Sequence, residues 1–133
     1  MAIESNDVSL MKNALITGGL GLIGSNVAKI LVEEKLVDKV VLLDHFGRYT
    51  SSLKLEFVDY RKLRLKGIEN QVIIERGESK YYSIISKLLR QYKPDYVFHL
   101  AALPLAKIDN LNVEETKEGA VDSTAHFVEV MAQ

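Results

Sequence analysis

The chain has 133 residues, with 17 Lys and Arg against 18 Asp and Glu, a net charge of −1, no Cys and no Trp. Its 47% apolar and 26% charged residues describe one ordered globular domain with a single sizeable core. The charge balance gives no footprint for nucleic acid or an anionic membrane, and no run is apolar enough to span one. The lack of Cys removes disulfide, thiolate-zinc and Cys-nucleophile chemistry.

Residues 1–11 read as an N-terminal extension that carries Glu4 and Asp7 and has no apolar run of the signal-peptide kind, so the expected compartment is the cytoplasm. The domain occupies 12–133. Asn13 to Thr17 is a short apolar run stopped by Gly18-Gly19, a strand entering a turn. From Leu22 the period becomes helical, with Ile23, Val27, Ile30 and Leu31 on one expected inner face as far as about Lys35. Lys39 to Leu43 is a second strand, apolar almost throughout, as a parallel strand covered on both faces should be.

The stretch from Ser51 to Lys66 fits either period. A helix is expected there, because a parallel sheet needs a crossover. Gln71 to Ile74 is a third strand. Ser79 is the expected N-cap of a helix whose Tyr81, Ile84, Ile85, Leu88, Leu89 and Tyr92 form an apolar stripe. Pro94 ends that helix, and Tyr96 to Leu100 is a fourth strand. A loop holding Asp109 and Glu114 to Glu118 should follow. The last helix is expected from about Gly119, with Ala120, Thr124, Phe127, Val128 and Met131 along one side. Strands alternating with helices in this order make an α/β fold around a parallel sheet.

The turn after the first strand carries the chemistry. Thr17 to Gly24 satisfies Gly-x-Gly-x-x-Gly through Gly19, Gly21 and Gly24, and Gly-x-x-Gly-x-x-Gly through Gly18, Gly21 and Gly24. A strand before it and an amphipathic helix after it supply the context in which such glycines hold a pyrophosphate against a helix N-terminus. Asp44 lies twenty residues beyond Gly24, at the end of the second strand, where an acid can take the ribose hydroxyls of a dinucleotide. A nucleotide-triphosphate loop is excluded, since Ser25-Asn26 stands where Lys-Ser/Thr is required. Asp44 favours NAD, and NADP is the less favoured cofactor, with Arg48 as the residue that would accommodate its 2′-phosphate. The fold implied is a Rossmann-type doubly wound parallel sheet, truncated at about four strands with flanking helices.

The segments TGGLGLIGS, LLDHFGR and KPDYVFHLAALP resemble the N-terminal half of the extended short-chain dehydrogenases/reductases, the NAD-dependent epimerases and dehydratases of nucleotide-activated sugars. The resemblance covers roughly residues 12 to 132. It implies that Gly18, Gly21, Leu22, Ile23 and Gly24 hold the pyrophosphate. Glu78, in Gly77-Glu78, lies near the adenine, and Leu100, Ala101, Ala102 and Leu103 lie along the ribose and nicotinamide. His45 sits near the adenosine because it follows Asp44. The C-terminal VDSTAHFVEVMA is similar to the family's last N-terminal-half helix, but Ala120, Ser123 and His126 replace its usual Asn, Gly and Asn.

The family's chemistry needs a Tyr with a Lys four residues later, so that the lysine can lower the phenol's pKa. None of the six tyrosines has one, and Tyr60 with Arg64 comes nearest. No catalytic residue is therefore assigned, and the chain reads as the cofactor-binding half of such an enzyme, its catalytic pair lying elsewhere. The alternative is a non-catalytic dinucleotide-binding or sensor module. His45, His99 and His126 show no metal-ligand pattern, and Arg61, Lys62, Arg64 and Lys66 read as a solvated helix face. Tyr81, Tyr82 and Tyr92 read as core packing on the helix that covers the sheet. The expected partners are a dinucleotide and, for the complete protein, a nucleotide sugar. A homodimer is expected from the uncovered sheet edge.

Overall fold

The computed structural model describes residues 11–46, 60–102 and 112–133. Arg48 and Leu103, like Tyr49, Asp109 and most of the ambiguous 51–66 segment, lie outside those residues. Four strands form the sheet: β1 (Asn13–Thr17), β2 (Lys39–Asp44), β3 (Val72–Arg76) and β4 (Tyr96–His99). They lie in the order β3-β2-β1-β4 and every pair is parallel. The register sets Thr17 beside Leu43 on one side and His99 on the other, so β2, β1 and β4 end together on the same side of the sheet.

The apolar strands are buried on both faces, as their composition predicts. Along β1, Ala14 and Ile16 enter a cluster with Leu20, Ala28, Leu31, Val40 and Leu42, whereas Leu15 enters another with Val41, Leu43, Ile85, Leu88 and Phe127. The alternation of β1 thus separates the two helical layers. Helix α1 (Leu22–Glu33) and the short α2 (Tyr60–Arg64) belong to the first layer, with Leu65 and Ile68 just after α2 buried in its core. Helix α3 (Tyr82–Tyr92) and the C-terminal helices cover the other face.

Several boundaries and faces differ from the sequence reading. The inner face of α1 is Gly24, Ser25, Ala28 and Leu31; Ile23 and Ile30 are 68% and 56% exposed. Small residues there let the helix axis lie close to the sheet, and close approach, rather than hydrophobic bulk, sets its rotation. Ser79 is not the N-cap of α3. Tyr81 occupies that place with no side-chain cap, and one turn bonded from Tyr81 N–H to the Glu78 carbonyl precedes the helix. The stripe on α3 is otherwise as read, with Ile85 and Leu88 buried and Tyr81 half exposed. Lys93 takes a left-handed conformation (φ 43°) and closes the helix, and Pro94 after it cannot continue the helix.

The C-terminal helical run starts earlier than its periodicity suggests. Helix α4 (Val113–Thr116) is capped by Asn112, whose side chain accepts from the Glu115 N–H at 2.8 Å, so Glu114 to Glu118 are helical and not loop. A π-helical turn over Lys117–Asp122 then leads into α5 (Ser123–Met131). Ser123 and Thr124 hydroxyls donate to the Gly119 and Ala120 carbonyls, at 3.0 and 2.7 Å. The wide turn rotates α5, so Phe127 and Ser123 face the core while Val128 and Met131, expected on the same side as Phe127, are 65% and 59% exposed. Among the described residues no helix is long and apolar enough to cross a membrane.

Candidate dinucleotide cleft

A cleft of about 490 Å³ opens where β1, β2 and β4 end. Its floor is the turn from β1 into α1. Gly18 has φ +66°, a conformation that β-carbon-bearing residues avoid, and its N–H donates to the Leu43 carbonyl at 2.8 Å. The chain then passes so close to itself that a Cβ on Gly24 would lie 2.5 Å from the Gly18 oxygen and 2.8 Å from Gly19 Cα. Gly21 faces the same oxygen at 3.1 Å. Gly19 points away from the cleft, against Leu42. The set that shapes the cleft is therefore Gly18, Gly21 and Gly24, and Gly19 serves packing.

Gly21 is also the N-cap of α1, and it has no side chain to spend on the first-turn N–H groups. Those of Leu22, Ile23 and Gly24 have no partner within the helix by its geometry, and no acidic residue occupies the first turn to oppose an anion. The side chains of Leu22 and Ile23 are exposed, so what these residues offer a phosphate is backbone.

Asp44 ends β2 on one flank of this turn. Its Oδ2 accepts from the Leu20 N–H at 3.2 Å and its Oδ1 from the Phe46 N–H at 3.0 Å. Both bonds fix the carboxylate, and each oxygen keeps a further lone pair for a hydroxyl donor. His45 and Glu78 stand on the same flank, and Leu100, Ala101 and Ala102 form the opposite wall. The structure thus brings ten of the expected site residues onto one surface: Gly18, Gly21, Ile23, Gly24, Asp44, His45, Glu78, Leu100, Ala101 and Ala102.

Other groups at the cleft escaped the sequence reading. Arg64 is not part of a merely solvated face, because its Nη1 donates to the Leu20 carbonyl at 2.7 Å and ties α2 to the glycine turn. Arg61 and Arg76 lie 5.4 and 5.7 Å from the centre of the Phe46 ring, two residues past Asp44. Lys80 bridges Glu118 at 3.0 Å and Glu78 at 3.6 Å, linking the loop after β3 to the π-helical turn. Its hydrogen bond to Glu118 raises its pKa. The fully buried Thr17 accepts from the N–H groups of Leu100 and Ala101, at 3.1 and 3.0 Å, which pins the far wall to β1. Only the long-range pairing of strand ends could have revealed these contacts.

Tyr92 donates its hydroxyl to Glu75, and that carboxylate, followed by burial, pushes the phenol up to about 12. A phenol so held stays protonated at neutral pH. No cluster of metal-ligating side chains occurs among the described residues.

Comparison with known proteins agrees with this geometry. Residues 15–133 match the family described as GDP-mannose 4,6 dehydratase. A dTDP-glucose 4,6-dehydratase from Neisseria gonorrhoeae is 35% identical over 91 residues, 68% of this chain and 24% of that protein. The enzyme WbmH of Bordetella bronchiseptica, solved in complex with NAD+, superposes with a TM-score of 0.66 at 27% identity, over 91% of this chain and 35% of that one. UDP-glucose 4-epimerase of Thermus thermophilus, solved with NAD, gives 0.64 at 25% identity, over 89% of this chain and 33% of that one. The chain therefore spans about a quarter of the curated relative and about a third of the solved structures.

The closeness of Gly24 to the Gly18 carbonyl makes a direct prediction. Gly24→Ala forces two backbone segments apart and should lower stability by about 1–3 kcal/mol, read as a lower urea midpoint at unchanged slope. A midpoint equal to that of the unaltered chain would mean that the turn is not packed as described.

Proposed function

The chain belongs to the GDP-mannose 4,6-dehydratase family, and we propose that it is the NAD-holding portion of a nucleotide-sugar epimerase or dehydratase. The observation that carries this reading is the convergence of the glycine turn, Asp44 and the Leu100 to Ala102 wall on one cleft. Bound there, NAD would take a hydride from a sugar carbon and return it.

The residues of this chain divide the work by position. The backbone of Gly18, Gly21 and Gly24 leaves room for the diphosphate, and the first-turn N–H groups of α1 meet its charge. Asp44 accepts from the adenosine ribose hydroxyls, and its negative charge disfavours a 2′-phosphate, hence NAD over NADP. Glu78 and His45 border the adenine end. Leu100, Ala101 and Ala102 line the ribose and nicotinamide end. Proton transfer at the sugar belongs to groups outside these 133 residues, since no tyrosine here has the lysine it would need and Tyr92 is held protonated. Residues 1–11 precede the domain as an extension. Self-association through the β4 edge of the sheet belongs to the same reading.

Calorimetric titration with NAD and NADP tests the proposal. NAD should bind the chain saturably and more tightly than NADP, and Asp44→Asn should weaken NAD by about tenfold or more, as loss of hydrogen bonds to a charged acceptor does. Equal NAD affinity in Asp44→Asn, or tighter binding of NADP, would contradict it.

A further inference from the structure

The wall of the cleft formed by Leu100 and Ala101 is held by a chain of hydrogen bonds whose proton order can be worked out. Thr17 Oγ1 accepts twice, from the Leu100 and Ala101 N–H groups. Its own hydrogen is left for the third neighbour, His99 Nδ1, at 2.7 Å. Nδ1 is then the acceptor, and the ring hydrogen of a neutral imidazole must sit on Nε2. Nε2 faces Ser123 Oγ at 3.0 Å, and the hydrogen of that hydroxyl goes to the Gly119 carbonyl, also at 3.0 Å. Read from either end, each donor meets an acceptor, and the Leu100 N–H is shared between Thr17 Oγ1 and, at 3.3 Å, the Thr17 carbonyl. The opposite tautomer would bring Nδ1–H to an oxygen that already accepts twice and leave the Thr17 hydrogen without an acceptor.

The chain of bonds crosses from β1 to β4, where Thr17 and His99 are also paired in the sheet, and on to α5. Ser123 is fully buried, and its place one residue past the π-helical turn aims its hydroxyl at β4. We propose that Ser123 is a positioning residue of the cleft: by accepting from His99 Nε2 it fixes the tautomer, and through Thr17 it fixes the Leu100–Ala101 backbone.

A dependence on pH follows. The groups described against the His99 ring are Thr17 from β1 and Ser123 and Phe127 from α5, the Phe127 ring centre 4.9 Å away, and none of them is charged. Burial lowers the pKa of His99. The neutral ring is the form that the bonds require. Its contribution is complete above the unfolded value of about 6.5 and is lost as pH falls through the lower folded value.

Two readouts on the 133-residue chain without NAD test this, so their outcome is separate from that of the binding experiment above. Imidazole 15N shifts should show His99 as the single Nε2–H tautomer at neutral pH. Exchange of the Leu100 and Ala101 amides should be slow there, and their protection relative to the intrinsic rate should fall, as pH drops through the lowered His99 value, more than protection elsewhere in β1 and β4. Ser123→Ala should mix the tautomers and speed those two amides by about fivefold, the size of one ordinary hydrogen bond, and Ser123→Thr should restore both. An Nδ1–H tautomer in the unaltered chain would overturn the proposal, whether or not the variants fold. So would a folded Ser123→Ala that keeps both the tautomer and the exchange rates.

Discussion

Everything at the cleft depends on how closely three backbone segments approach one another at the end of β1. Gly18 turns the chain with a positive φ, Gly24 passes within a β-carbon's width of the Gly18 carbonyl, and Ala101 stands against Gly18 from β4. A Cβ on Gly18 would meet the Ala101 nitrogen at 3.1 Å. The strand, the helix and the far wall are thus fixed by contact between main chains, whose positions are far less adjustable than those of side chains. This leaves the N-terminus of α1 bare at the bottom of a narrow cleft, which is the condition for an anion to be met by backbone donors.

The sheet supplies the rigidity that such an approach needs. β1 and β2 are buried throughout their central residues, with helices on both faces, so the turn grows out of the best-packed part of the molecule. Polar contacts then fasten the periphery to that centre. Asp44 holds the Leu20 N–H, Arg64 holds the Leu20 carbonyl, Thr17 holds the Leu100 and Ala101 N–H groups, and Lys80 joins the loop after β3 to the C-terminal helices. The cleft is in this sense built from main chain and braced by side chains that arrive from distant parts of the sequence.

How much of this was legible in the sequence follows from the range of each interaction. The four strands, α1, α3 and the glycine turn come from local patterns of period and composition, and they stand within a residue or two of where those patterns put them. The extended short-chain dehydrogenase/reductase resemblance carried by TGGLGLIGS and HLAALP is borne out by the matched family and by the fold of the solved relatives. Local reasoning failed where rotation is set by packing. On α1 Leu31 lies on the core face as read, but Ile23 and Ile30 do not, and the small Gly24, Ser25 and Ala28 take the places nearest the sheet. On α5 a π-helical turn, which leaves no mark in a 3.6-residue period, displaced the apolar stripe. Ser79 looked like a cap because its residue type suits one, whereas Asn112 with Glu115 three residues on is a local signature of the cap that forms. Contacts such as Thr17 with His99, 82 residues apart, depend on strand order and lie beyond any local pattern.

The central claim is that one dinucleotide engages both the glycine turn and the opposite wall. Hydrogen exchange of this chain with and without saturating NAD, followed amide by amide, tests it most directly. The account predicts that NAD slows exchange at Leu22 to Ser25 and at Leu100 to Ala102 together, over the same range of concentration. A folded chain in which NAD leaves the amides of Leu22 to Ser25 unchanged would contradict it.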